Sequence, residues 1–110
     1  MRSKYHACKT VVDGIAFDSK KEAKRYAELK LLERGGAIKD LRRQVRYELI
    51  PAFDCCGKHY RPTSYVADFV YTVCRTGEEV VEDVKGVRTD VYRLKAKMFA
   101  HKFGVSIRET

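Results

Sequence analysis

Two runs decide the fold of this chain: Ser64-Tyr65-Val66-Ala67-Asp68-Phe69-Val70-Tyr71-Thr72-Val73 and Glu79-Val80-Val81-Glu82-Asp83-Val84-Lys85. Both are rich in the β-branched and aromatic residues that strands favour. The short segment Arg75-Thr76-Gly77-Glu78 between them reads as a tight turn, so the pair is expected to form an antiparallel hairpin. Side chains alternate along a strand, which puts Asp83 and Lys85 on one face and Glu82 on the other. Pairing through the turn brings Asp68 beside Asp83. Two carboxylates and one ammonium are therefore expected to converge at a strand end, in runs that otherwise suit burial. Glu82, on the opposite face, is expected to pair with a basic side chain there.

The rest of the chain extends outward from this hairpin. Upstream, Asp13-Gly14 lies between Val11-Val12 and Ile15-Ala16-Phe17, the signature of a type I′ turn, so Thr10–Phe17 reads as a small hairpin. Ser19 and Glu22 match a helix capping box, and Gly35-Gly36 supplies a stop, which predicts a helix from Ser19 to about Arg34. Its inner face would carry Ala23, Tyr26, Leu29 and Leu32, with Glu22 on the same side. A strand over Arg46–Phe53 follows, with Pro51 marking it as an edge or a bend, and then a loop through Asp54–Lys58. Downstream, Gly86 would close the third strand. A helix from Thr89 or Asp90 to about Phe103 would bury Val91, Leu94, Met98 and Phe99. Gly104 ends it, and Val105–Arg108 reads as a final strand reached by a right-handed crossover. The order is hairpin, α, β, β, β, α, β: an α/β chain with a mixed sheet, read as one domain over residues 1–110.

Paired carboxylates suit a hard divalent cation such as Mg²⁺, which binds through one or two of them and takes further oxygens from water and phosphate. Asp68 and Asp83 are the expected ligands, and Mn²⁺ is expected to substitute. Lys85 can orient an attacking water or stabilise charge developing on a phosphate. Its ammonium also offsets repulsion between the acids. Glu22 has two readings, helix capping alone or a third acidic ligand.

Charge agrees with a phosphate-bearing partner. The chain has 110 residues, 23 Lys+Arg against 15 Asp+Glu, a net charge of +8 and a pI near 9.4. A polyanion, most economically DNA, is the expected partner. Arg42, Arg43 and Arg46 cluster before the first long strand, Lys58 and Arg61 follow it, and Arg88 with Lys95 lies near the second helix. Thr89 and Tyr92 at that helix start are further candidates for backbone contact. Lys95 has a second reading, a snorkelling side chain beside the apolar stripe. Without a recognition-helix or zinc-finger pattern, no base readout is expected.

Other classes fall away. Apolar runs are far shorter than the ~20 residues of a membrane span. Met1–His6 has no apolar region of the secretory kind, so a cytoplasmic location is expected. Cys8, Cys55, Cys56 and Cys74 are too sparse for a disulfide scaffold, and their reading is reduced thiols. A zinc site from Cys8, Cys55, Cys56 and His59 or His6 is the alternative, weakened by the lack of any CxxC pair.

Glu22, Asp68 and Asp83-Val84-Lys85, in this order, resemble the PD-(D/E)xK nuclease superfamily. Phe17-Asp18-Ser19-Lys20-Lys21-Glu22-Ala23, Tyr65-Val66-Ala67-Asp68-Phe69 and Val81-Glu82-Asp83-Val84-Lys85-Gly86 are more closely similar to a small phage and prophage family assigned to it. The resemblance covers roughly residues 3 to 109. Ala67 stands where the superfamily's name has Pro, and Asp83 takes the Asp option of (D/E). The resemblance implies a restriction-endonuclease-like αβββαβ core and a Mg²⁺-dependent DNA endonuclease. Glu22, Asp68, Asp83 and Lys85 would be its catalytic residues, and the Val84 carbonyl a further metal ligand. By analogy with small junction-resolving members, it also implies a homodimer acting on branched or junction DNA, in the host cytoplasm if phage-encoded. No membrane and no small-molecule cofactor beyond the metal are expected. The alternative is a nucleic-acid-binding accessory protein that kept the nuclease fold without turnover.

Overall fold

A computed structural model describes residues 10–85 and 88–110. Gly86, read above as the strand stop, lies outside the described residues, as do Cys8, His6 and the Met1–His6 segment. Strands β1 (Thr10–Val12) and β2 (Ile15–Phe17) form the expected small hairpin. Positive φ at both Asp13 (52°) and Gly14 (78°) marks the type I′ turn. Helix α1 (Lys20–Arg34) follows, with Ser19 accepting the Glu22 N–H at 3.1 Å. Ala23, Tyr26 and Leu29 are buried on its inner face, while Leu32, expected there, is exposed.

The main sheet has four strands in the order β3 (Ile38–Ile50), β6 (Thr63–Val73), β7 (Glu79–Asp83) and β8 (Arg108–Glu109). The first three pair antiparallel, and β8 joins β7 in parallel after helix α2 (Asp90–Phe103). The fold is thus a mixed α+β arrangement with β3 on an edge. Beyond β3 the chain forms a separate two-stranded ribbon, β4 (Phe53–Cys55) and β5 (Lys58–Tyr60).

Several expectations are corrected: the final strand, expected over Val105–Arg108, is Arg108–Glu109, and β7, expected to reach Lys85, ends at Asp83. Strand β3 starts at Ile38 rather than Arg46 and ends before Pro51. Left-handed backbone at Asp40 (φ 57°) and Gln44 (φ 52°) interrupts its regular pattern, which is why its charged first half reads as loop. The segment expected to be a loop at Asp54–Lys58 is a hairpin turning on Cys56 and Gly57, with φ 55° and 76°. In α2, Tyr92 and Phe99 are buried, whereas Val91 and Leu94 are 63% and 58% exposed. Two stripes compete on this helix. The aromatic one prevails because Phe99 meets Tyr47 and Tyr65 in edge contacts at 5.0 and 5.5 Å.

Two cores flank the sheet. Phe17, Ala23, Tyr26, Leu29, Ile38, Phe69 and Tyr71 form the one beneath α1. Leu49, Tyr65, Ala67, Val70, Val81, Tyr92 and Phe99 form the one beneath α2. Along β7 the alternation is regular, Val80 belonging to the α1 side and Val81 to the α2 side. Along β6 it slips. Phe69 and Tyr71 face α1, yet Ala67 and Tyr65 face α2, although their positions differ by even numbers, which regular alternation would put on one face. The partner strand slips at the same level. Arg43 pairs with Phe69 and Val45 with Ala67, leaving Gln44, in its left-handed conformation, opposite Asp68.

Candidate active site

The shared slip sets Asp68 at the level where one core gives way to the other. Pairing of Phe69 with Glu82 brings Asp68 level with Asp83. One oxygen of Asp68 accepts the Val84 N–H at 2.8 Å, and the other lies 3.4 Å from Gln44 Nε2. The same amide nitrogen is 3.4 Å from Glu22 Oε2. Gln44 thus bridges an acid of α1 and an acid of β6. The Glu22 carboxylate also stands 3.9 Å from Arg43, on the side of the sheet, while the Ser19 hydroxyl caps the helix by accepting the Glu22 N–H.

Asp83 is 1% exposed. Tyr65 donates its hydroxyl to Oδ2 at 2.5 Å, and Lys85 Nζ stands 3.2 Å from Oδ1. The Lys85 ammonium also lies 4.4 Å from the Tyr92 ring centroid, a cation–π contact that fixes its direction. Lys21 donates to the Lys85 carbonyl at 3.0 Å and so ties α1 to the end of β7. The expected placement of Asp83 and Lys85 on one face is observed. Burial, then hydrogen bonding with Asp68, push the Asp83 carboxyl up to about 7, against the opposing pull of Tyr65 and Lys85. Burial and the Asp68 charge likewise raise Glu22.

Glu82 follows the expectation for the other face. It is fully buried and clasped by Arg25, at 2.5 and 3.1 Å, by Tyr71 at 2.7 Å and by Thr110 at 3.1 Å. Burial would raise its pKa, but these hydrogen bonds outweigh it and hold the carboxyl below its ordinary value.

A divalent cation fits the donor set. Its ligands would be carboxylate oxygens, and burial together with the neighbouring Asp68 carboxylate raises both Asp83 and Glu22, which a bound cation would offset. The described residues hold no group of three or more His, Cys, Asp or Glu arranged for a metal. The fit is therefore that of a two-carboxylate ligand set completed by water and phosphate, the usual manner of Mg²⁺. Cys55, Cys56 and His59 form no metal group either, and Cys55, Cys56 and Cys74 are free and exposed.

The expected nucleic-acid contacts divide. Arg46, Lys58 and Arg61 are exposed. Arg42 and Arg88 are exposed too, in surface ion pairs with Glu79 at 2.8 Å and Glu109 at 2.6 Å. Lys95 is half-buried. Arg43 lies over the Phe17 ring at 4.5 Å, with its buried Nε lacking a hydrogen-bond partner. Thr89 is spent on capping the Tyr92 N–H. Tyr92 is not a surface contact: it is 7% exposed, with its hydroxyl on Glu109 at 2.9 Å, because it belongs to the stripe of α2 that turns inward. Sequence reasoning missed three parts of the site. Gln44 and Tyr65 depend on which residues lie opposite across the sheet. Lys21, Lys24 and Arg25, which carry no local signal of a site, line a cleft of about 240 Å³ beside Val84.

The fold and site define an α+β domain that gathers carboxylates and a lysine where two cores meet across a mixed sheet. The chain belongs to the DUF1064 family of proteins of unknown function, whose family model matches residues 2–109. No match to the chain was found among curated proteins or solved structures. No helix among the described residues is long and apolar enough to cross a membrane.

Proposed function

We propose that this protein is a metal-dependent DNA endonuclease that hydrolyses phosphodiester bonds, with a restriction-endonuclease-like core. The observation that carries the reading is the convergence of Asp68, Asp83 and Lys85, with Glu22 linked to Asp68 through Gln44. Asp68 and Asp83 would hold Mg²⁺ or Mn²⁺, with Glu22 and the Val84 carbonyl as further oxygen donors. When bound, the dication lowers the pKa of a water and neutralises charge on the attacked phosphate. Lys85 orients that water and stabilises negative charge building on the phosphate oxygens. Tyr65 and Tyr92 keep Asp83 and Lys85 in place, and Gln44 restrains Glu22 and Asp68. Arg42, Arg46, Lys58, Arg61, Arg88 and Lys95, with the Lys21 and Lys24 cleft, supply backbone contacts, whose contribution falls steeply with salt. Two copies acting together would cut both strands or a branched junction.

One observation favours a second reading, a DNA-binding protein without turnover: both oxygens of Asp83 already have partners within the protein. A single experiment separates the two. Supercoiled plasmid, linear duplex, single strand and a four-way junction are incubated with wild type and Asp83→Ala, with and without Mg²⁺ or Mn²⁺. Cleavage that needs both the metal and Asp83 is expected. Binding without cleavage of any substrate, or equal cleavage by Asp83→Ala, sinks the enzyme reading.

A further inference from the structure

The β4–β5 ribbon contributes nothing to either core. It forms a sheet of its own, and every residue from 51 to 62 is exposed. Phe53 pairs with Tyr60 across the ribbon, their rings 4.8 Å apart and 11° from parallel. The pair stays 44% and 40% exposed, though rings of this size are commonly buried. Lys58 Nζ stands 5.2 Å from the Tyr60 centroid, and Arg61 follows at the base. Asp54 is engaged by His59 at 2.8 Å, which blunts the ribbon's one acid. A cross-strand aromatic pair steadies a hairpin, but that role requires neither the adjoining cations nor such exposure of both rings. Strand β6 leaves the ribbon and leads to Asp68, and fully extended chain from Tyr60 to Asp68 spans at most ~28 Å. That is less than one turn of duplex DNA, ~34 Å.

We infer that the ribbon is a stacking platform for an unpaired base beside the duplex held at the acidic site, so that the substrate is DNA with a fork, bubble or branch. This inference rests on the DNA reading above. Bases within a duplex have both faces covered by neighbours, so only an unpaired or terminal base offers a free face to Phe53 and Tyr60. Lys58 and Arg61 would hold the flanking phosphates.

The test uses the full chain in EDTA, so that nothing is cut, and two DNAs of equal length. One is fully paired; the other is forked, with 2-aminopurine at the first unpaired position. Wild type is expected to bind the fork about tenfold more tightly and to change the 2-aminopurine emission. Tyr60→Leu and Phe53→Leu keep an apolar pair across the ribbon and are expected to lose both effects, with paired-duplex affinity and melting temperature unchanged. Tyr60→Trp is expected to keep both. Equal affinity of wild type for the two DNAs, or a preference that survives both Leu variants, overturns the platform and leaves the DNA reading standing. Failure to bind either DNA overturns both.

Discussion

Glu82 and Asp83 are neighbours on one strand, equally hidden from water, and their surroundings drive them in opposite directions. Glu82 faces α1 and meets a guanidinium, a phenol and a threonine hydroxyl, so its charge is compensated. Asp83 faces α2 and meets one phenol and one ammonium, with a second carboxylate beside it, so its charge is not. Burial alone does not separate a structural acid from a chemical one. The difference lies in whether the protein completes the neutralisation or leaves part of it to something else.

The comparison can be broken most severely at Asp83. Asp83→Ala is expected to cut metal-dependent DNA cleavage at least ~10³-fold while the protein stays folded, since removing a key transition-state contact costs about 4 kcal/mol. Plasmid-relaxation rates and circular dichroism together check it. At Glu82 the effect falls on stability. Arg25→Ala strands a buried carboxylate and should cost about 3 kcal/mol in urea unfolding, whereas Arg25→Met with Glu82→Leu should recover most of it.

Titration sharpens the contrast. Without metal, folded Asp83 keeps its proton up to about 7, whereas the unfolded chain releases it near the ordinary ~3.9. Between those values the folded state binds more protons, so stability falls as pH rises, by an amount on the order of a few kcal/mol. Asp83→Asn should flatten that fall and leave the protein more stable than wild type at pH 8. Glu82 runs the other way: its lowered value contributes stability above its ordinary pKa, lost as the solution is acidified through the folded one. Urea midpoints measured from pH 3 to pH 8 resolve both limbs.

Smaller effects belong to the supports. Tyr65→Phe removes the donor that lowers Asp83, at a cost of about 1 kcal/mol. It should shift the acid limb of the cleavage profile to higher pH. Gln44→Gly relieves left-handed strain and should leave stability level or raise it by up to ~1 kcal/mol. Cleavage should nevertheless drop several-fold as Glu22 and Asp68 lose their bridge.

Much of this was legible in the chain. Asp13-Gly14, the Ser19 cap and the alternation of Val80 to Lys85 rest on local rules, and local rules held. The three-residue set at Asp68, Asp83 and Lys85 was legible because a hairpin with a short turn leaves little freedom of register. What escaped depended on partners distant in sequence. The charged start of β3 is a strand because β6 pairs with it, and two left-handed residues hid its pattern. Cys56-Gly57 forms a hairpin turn although Cys is an unusual first residue there. On α2, the Tyr92 and Phe99 stripe prevails through aromatics contributed by β3 and β6. Gln44 carries no local signal of its role, which comes from its position opposite Asp68.

The slip at Gln44 and Asp68 has a dynamic consequence. The β3–β6 hairpin is one ladder, but its two halves are nailed to different cores, and the acidic site lies on the seam between them. Each half should open as its own cooperative unit. Amide exchange at Tyr65 and Ala67 should report the α2 half, and at Phe69 and Tyr71 the α1 half, with separate opening energies. The site would then disassemble whenever either half breathes, so its lifetime is set by the weaker of the two.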